Sequence, residues 1–67
     1  MIKIQVNGET REIPSGMELE DLLRHLSLPT ERVAVEVNKQ VIRRSEWNSV
    51  RVSEDDRIEV IHFVGGG

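Results

Sequence analysis

Apolar and polar residues alternate at the start of the chain, with Ile2, Ile4 and Val6 separated by Lys3 and Gln5. A period of two predicts a half-buried strand. Asn7-Gly8 follows, and because both residues tolerate positive φ the pair predicts a tight hairpin turn. Thr10 to Ile13 is then the returning strand, stopped by Pro14-Ser15-Gly16. The period changes at Leu19, Leu22, Leu23 and Leu26, which fall at i, i+3, i+4 and i+7 and place four leucines on one helical face. Glu18, Glu20 and Asp21 stand where the helix dipole favours negative charge, and Arg24 and His25 where it favours positive charge. Ser15 and Glu18 have the Ser-x-x-Glu spacing of a capping box, and Pro29 lies too late to belong to the helix.

Alternation returns at Val33, Val35 and Val37, a third strand. Asn38-Lys39 predicts a looser turn into a short fourth strand, Val41-Ile42. Ser45 to Asn48 reads as a single helical turn carrying Trp47, Val50-Arg51-Val52 as a brief extended piece, and Glu54-Asp55-Asp56 as a polar turn. Ile58 to Val64 is the last strand, apolar on both sides except at Glu59 and His62, the pattern of a central strand covered on both faces. One amphipathic helix needs a sheet face against which to bury its stripe, and the strands supply it. Placing the apolar first and last strands side by side in the centre predicts an α+β fold of the β-grasp, ubiquitin-like type. It would have a mixed sheet of four to five strands packed on one α-helix.

Size and composition narrow the chemistry. A chain of 67 residues is one domain and buries only about 60% of the surface its unfolded form exposes, which leaves no room for a deep catalytic cavity. There is no cysteine, so neither a disulfide framework nor a thiolate zinc site is available; the absence is neutral about compartment but fits a reducing cytoplasm, the expected location. No apolar run approaches membrane-spanning length and the N-terminus does not read as a signal peptide, so no membrane partner is expected. A net charge of −3 argues against nucleic acid, whose recognition relies on clustered Lys and Arg. His25 and His62 lie far apart without neighbouring ligands, so no metal site is expected, and the serines show no nucleophile–base arrangement. An enzyme is not indicated.

The informative stretch is the close of the chain, Val64-Gly65-Gly66-Gly67. Glycine loses the most freedom on ordering, so three in succession do not build regular structure. The reading is a folded domain over residues 1–64 and a flexible glycine tail over 65–67, able to reach about 10 Å from the body. Without side chains, Gly65 and Gly66 could thread a narrow channel in another protein's active site. The carboxylate of Gly67, ionised at neutral pH, is a nucleophile toward the α-phosphate of a nucleotide held there. A frayed end has the same composition. Phe63 and Val64, beside the tail, are candidates to dock on such a partner, with core packing as the alternative for Phe63. For Trp47 a place roofing the core is favoured over an interface, and for Glu54-Asp55-Asp56 a solvated turn.

Asn7-Gly8-Glu9, Leu19 with Leu22-Leu23, and Val33-Ala34-Val35-Glu36-Val37-Asn38 together resemble the thiamin sulfur carrier (ThiS) family. So do Arg44-Ser45-Glu46-Trp47, Asp55-Asp56-Arg57-Ile58-Glu59 and the closing Val64-Gly65-Gly66-Gly67. The resemblance implies a carrier that binds no cofactor and is monomeric when free. An E1-like adenylyltransferase would use ATP to adenylate the carboxylate of Gly67. A sulfur-donating persulfide protein would displace AMP and leave a thiocarboxylate, and thiazole synthase would take up the sulfur. Gly66 and Gly67 match the family's terminal Gly-Gly. Two positions depart from its pattern: Asn38-Lys39 replaces Asn-Gly, and Met17 replaces a helix-capping threonine, leaving Ser15 for that role. The same tail chemistry serves the small subunit of molybdopterin synthase, and a ubiquitin-like protein modifier or an interaction module with an inert tail also fits the fold.

Overall fold

The computed structural model describes residues 1–63. Strand β1 (Ile2–Val6) turns at Asn7-Gly8 into β2 (Glu9–Ile13). Helix α1 (Leu19–His25) follows, then β3 (Val33–Val37), β4 (Gln40–Ile42), a 3₁₀ turn at Arg44–Glu46, and β5 (Arg57–His62). The five strands form one sheet in the order β2-β1-β5-β3-β4. β1 and β5 run parallel, paired at Gln5↔Arg57 and Val6↔Ile58, and the other neighbours are antiparallel. The first and last strands are therefore adjacent and the sheet is mixed, the expected β-grasp arrangement, with β5 at its centre.

The core lies between α1 and one face of this sheet. Leu19, Leu22 and Leu23 meet Ile4 and Val6 of β1, Val35 of β3 and Ile58 of β5. Each fully buried aliphatic side chain of this kind contributes roughly 1.5–3 kcal/mol of transfer free energy. Trp47 closes one end of the core at 3% exposure, its indole Nε1–H donating to the Ile42 carbonyl at 3.1 Å. Placement in the core is thus correct for Trp47, which follows the 3₁₀ turn directly.

Five local expectations need correction. The Ser15–Glu18 capping box does not form: Glu18 is itself the N-cap and makes no side-chain cap bond. Tertiary partners take over instead, because the Leu19 amide donates to the Val50 carbonyl at 2.8 Å and the Glu20 amide to the Trp47 carbonyl at 3.0 Å. The extended piece around Arg51 is a single bridge, Glu18↔Arg51, with the Val52 amide donating to the Met17 carbonyl at 2.9 Å. Once those amides are satisfied, a Ser15 cap has nothing to add.

The Asn38-Lys39 turn is as tight as Asn7-Gly8. Its two residues have φ of 52° and 70° between Val37 and Gln40, which pair directly. Leu26 lies one residue beyond the helix and is only partly buried. The last strand is not covered on both faces. A seven-residue helix can shield only one side of the sheet, so Ile58 is buried while Ile61 is 45% exposed.

Candidate functional site

The candidate site is the strand that leads to the chain's glycines, and its position is set by hydrogen bonds on both flanks. On one side β3 pairs with β5 from Val37↔Ile58 to Val33↔His62, and the Phe63 amide still donates to the Arg32 carbonyl at 2.8 Å. On the other side β1 stops at Val6 while β5 continues. Asn7 takes over there: its amide donates to the Ile58 carbonyl at 2.9 Å and its Oδ1 accepts from the Val60 amide at 2.8 Å. The turn asparagine therefore also acts as a surrogate β1 backbone, filling a ladder position that would otherwise leave a central strand's N–H unpaired.

Asn38 plays the matching part at the start of β5. Its Oδ1 accepts from the Arg57 amide at 2.9 Å, and its Nδ2 donates to Asp56 Oδ1 at 3.0 Å. Asp56 Oδ2 in turn accepts from the Ser53 amide at 2.8 Å. The acidic run is thus more than a solvated turn, since Asp56 helps fix where β5 begins. Likewise Glu54 Oε2 accepts from the Lys3 amide at 2.6 Å.

Phe63 follows directly on β5 and is 56% exposed, which excludes simple core packing. Val64, Gly65, Gly66 and Gly67 lie outside the described residues. Two apolar residues that were not singled out from sequence stand exposed on the sheet: Ile61 on β5 and Val41, 67% exposed, on β4. The signal was present in the element count, since one helix beside five strands leaves one sheet face open. Away from β5, a recess of about 250 Å³ lies between α1 and the 3₁₀ turn, lined by Glu20, Arg24, Thr30, Arg44 and Trp47. Its guanidinium groups are engaged: Arg44 stacks on Trp47 at 4.6 Å and donates to the Thr30 carbonyl, and Arg24 pairs with Glu20 at 2.9 Å. His25 and His62 end different elements, and no group of three metal-ligating side chains stands together among the described residues.

This geometry has relatives. Residues 4–67 match the ThiS family. The thiazole synthase of Magnetococcus marinus is 48% identical over 66 residues, covering 98% of this chain and 20% of that protein. The chain therefore spans about a fifth of the length of that relative. The sulfur carrier protein ThiS of Bacillus subtilis is 41% identical over 65 residues, covering 96% of this chain and 98% of the carrier. Among solved structures, the crystal structure of a thiamine biosynthesis protein (ThiS) from Geobacter metallireducens superposes with a TM-score of 0.88 at 29% identity, over 98% of this chain and 100% of that one. With the sheet order, the pinned last strand and a match running from β1 through the closing glycines, the chain belongs to the ThiS family.

Proposed function

We propose that this chain is a sulfur carrier for thiazole formation in thiamin biosynthesis, working through the carboxylate of Gly67. A carboxylate oxygen attacks the α-phosphorus of ATP in an E1-like adenylyltransferase, and pyrophosphate leaves. A persulfide sulfur on a donor protein then attacks the activated carbonyl and AMP leaves. Reduction of the resulting sulfur–sulfur bond by a thiol frees a thiocarboxylate, whose sulfur passes to thiazole synthase. The chain is a co-substrate in this scheme. ATP belongs to the activating partner, and all steps take place in the cytoplasm with the carrier monomeric between encounters.

The observation that carries the reading is the family match through residue 67 together with 41% identity to a sulfur carrier of nearly the same length. Relatives named for thiazole and thiamin chemistry favour this pathway over the molybdopterin one. None of the described helices is long and apolar enough to cross a membrane. Gly65 and Gly66 would enter the partner's active site, because only glycine leaves the main chain bare on all sides.

Intact-mass spectrometry after incubation with activating enzyme, ATP and a persulfide donor tests the proposal. The expected product has one oxygen of Gly67 replaced by sulfur. An unchanged mass, with the partner enzymes shown to be active on another carrier, would overturn it. Gly66→Trp should abolish the mass change without altering the thermal melt.

A further inference from the structure

Of the side chains that moor β5, one is also chemically labile. The chain has three asparagines, Asn7, Asn38 and Asn48, and all are exposed. An asparagine side chain is lost when the main-chain nitrogen of the next residue attacks its Cγ and the side-chain nitrogen departs as ammonia. That step needs a free attacking N–H, an uncrowded approach and a side-chain NH2 that nothing holds.

The fold distributes these conditions unequally. At Asn48 the attacking nitrogen is occupied, because the Ser49 amide donates to the Glu46 carbonyl at 3.0 Å. At Asn38 the side chain is held at both ends: Oδ1 accepts from the Arg57 amide at 2.9 Å and Nδ2 donates to Asp56 Oδ1 at 3.0 Å. Lys39 also brings a Cβ beside the attacking nitrogen. At Asn7 none of these restraints applies. Gly8 has no Cβ to crowd the attack. Among the described residues the Gly8 amide has no acceptor and Asn7 Nδ2 has no partner. Asn7 Oδ1, by contrast, accepts from the Val60 amide at 2.8 Å. Negative charge develops on that oxygen as the Gly8 nitrogen adds to Cγ, and an N–H already aimed at it stabilises the charge.

We propose that Asn7 is a site of spontaneous deamidation and that the reaction unmoors β5. The Gly8 nitrogen bonds to Asn7 Cγ and gives its proton to water. Nδ2 takes up a proton and leaves as ammonia, which closes a cyclic imide. Water then opens the ring at one of its two carbonyls. Breaking the bond from Gly8 nitrogen to Cγ gives aspartate. Breaking the bond from Gly8 nitrogen to the main-chain carbonyl carbon of residue 7 gives isoaspartate, in which the chain runs on through Cγ. One water is consumed and one ammonia released, with no oxidant or reductant.

The two products act differently on β5. Aspartate keeps an oxygen where Oδ1 stands, so the Val60 amide stays paired. Isoaspartate adds a methylene to the main chain of a turn that has only two residues between Val6 and Glu9, which pair directly. The oxygen that accepted from Val60 becomes a main-chain carbonyl and is drawn into the turn. Beyond Ile58, β5 then keeps its β3 flank and loses the bond that Asn7 supplied on the other.

The test is ageing of the purified full chain at mildly alkaline pH, followed by peptide mapping that separates aspartate from isoaspartate. Conversion should concentrate at Asn7 while Asn38 and Asn48 stay intact. Amide hydrogen exchange at Val60 should be about fivefold faster or more in the isoaspartate form, the worth of one hydrogen bond, and unchanged in Asn7→Asp. Gly8→Ala, whose added methyl meets nothing within 4 Å, should slow the conversion severalfold. Ageing of the wild-type chain decides the matter even where Gly8→Ala melts too low to compare.

An Asn7 that survives in the folded chain for as long as the urea-unfolded chain takes to convert overturns the proposal, since the Val60 bond would then shield the amide. Equal conversion at Asn38 or Asn48 overturns it too, as does an isoaspartate form with Val60 still protected. None of these readouts uses sulfur or a partner enzyme, so this proposal and the carrier reading fail separately.

Discussion

The two faces of the sheet are built from the same strands and partly from the same residue types, yet they do opposite work. Ile58 and Ile61 are three positions apart on β5; one is 1% exposed under the leucines of α1 and the other 45% exposed on the far side. Val35 and Val41, on neighbouring strands, divide in the same way, at 0% and 67%. Since successive strand residues point to opposite faces, one step of register separates a side chain that holds the fold together from one that stability does not use. In a domain this small the helix has leucines enough for one face only. The uncovered face is where apolar side chains such as Val41 and Ile61 stay exposed.

The largest effect that sharpens this contrast is expected at Ile58. Ile58→Ala should lower unfolding stability by about 2–5 kcal/mol, as large-to-small changes in a packed core do, and urea denaturation will measure it. A loss no greater than that of an exposed residue would mean the inner face is not the stabilising one. The next effect is at the boundary strand. Asn7→Gly keeps a residue able to hold φ near 49° but removes the oxygen that accepts from the Val60 amide. It should cost about 1 kcal/mol, the net worth of one hydrogen bond, and hydrogen exchange should speed up at Val60 before it does at Val35.

At the second hairpin Lys39→Gly should raise stability by roughly 1 kcal/mol, because Lys39 sits at φ 70°, a left-handed conformation that costs about that much for a residue with a Cβ. Gly8→Ala, at φ 83° and with nothing within 4 Å of the added methyl, should lose a similar amount from backbone strain alone. The smallest effect is expected on the open face: Ile61→Ala should change stability by no more than about 0.5 kcal/mol. A loss comparable to that of Ile58→Ala would erase the distinction between the faces.

Much of this was legible in the order of residues. Alternation at Ile2, Ile4 and Val6 and at Val33, Val35 and Val37 marks strands because the pleat has a period of two, and Asn7-Gly8 marks a tight turn because its dihedrals admit few residues. The four-leucine stripe marks α1, although Leu26 falls just past its end. A lone tryptophan in a small domain reads as a roof of the core, and the buried indole of Trp47 agrees. Less legible were features made by partners distant in sequence. The start of α1 is satisfied by carbonyls of Trp47 and Val50, some thirty residues away, so the local Ser15–Glu18 pattern pointed to a cap the fold does not use. Lys39 hid a tight turn because its residue type disfavours the conformation the hairpin imposes. The pairing of Glu36 with Glu59 depends on a register between strands twenty-three positions apart.

The sequence by itself determined the elements, their order, the hydrophobic stripe and the glycines at positions 65–67, because periodicity, turn chemistry and side-chain absence act over a few neighbouring residues. Only the tertiary structure decided which face of the sheet the helix covers. It also decided which glutamates meet and how Asn7 and Asn38 pin the last strand, because each needs segments brought together by burial of a shared core. A strand carries both faces in its own alternation; which one becomes interior is settled by what packs against it.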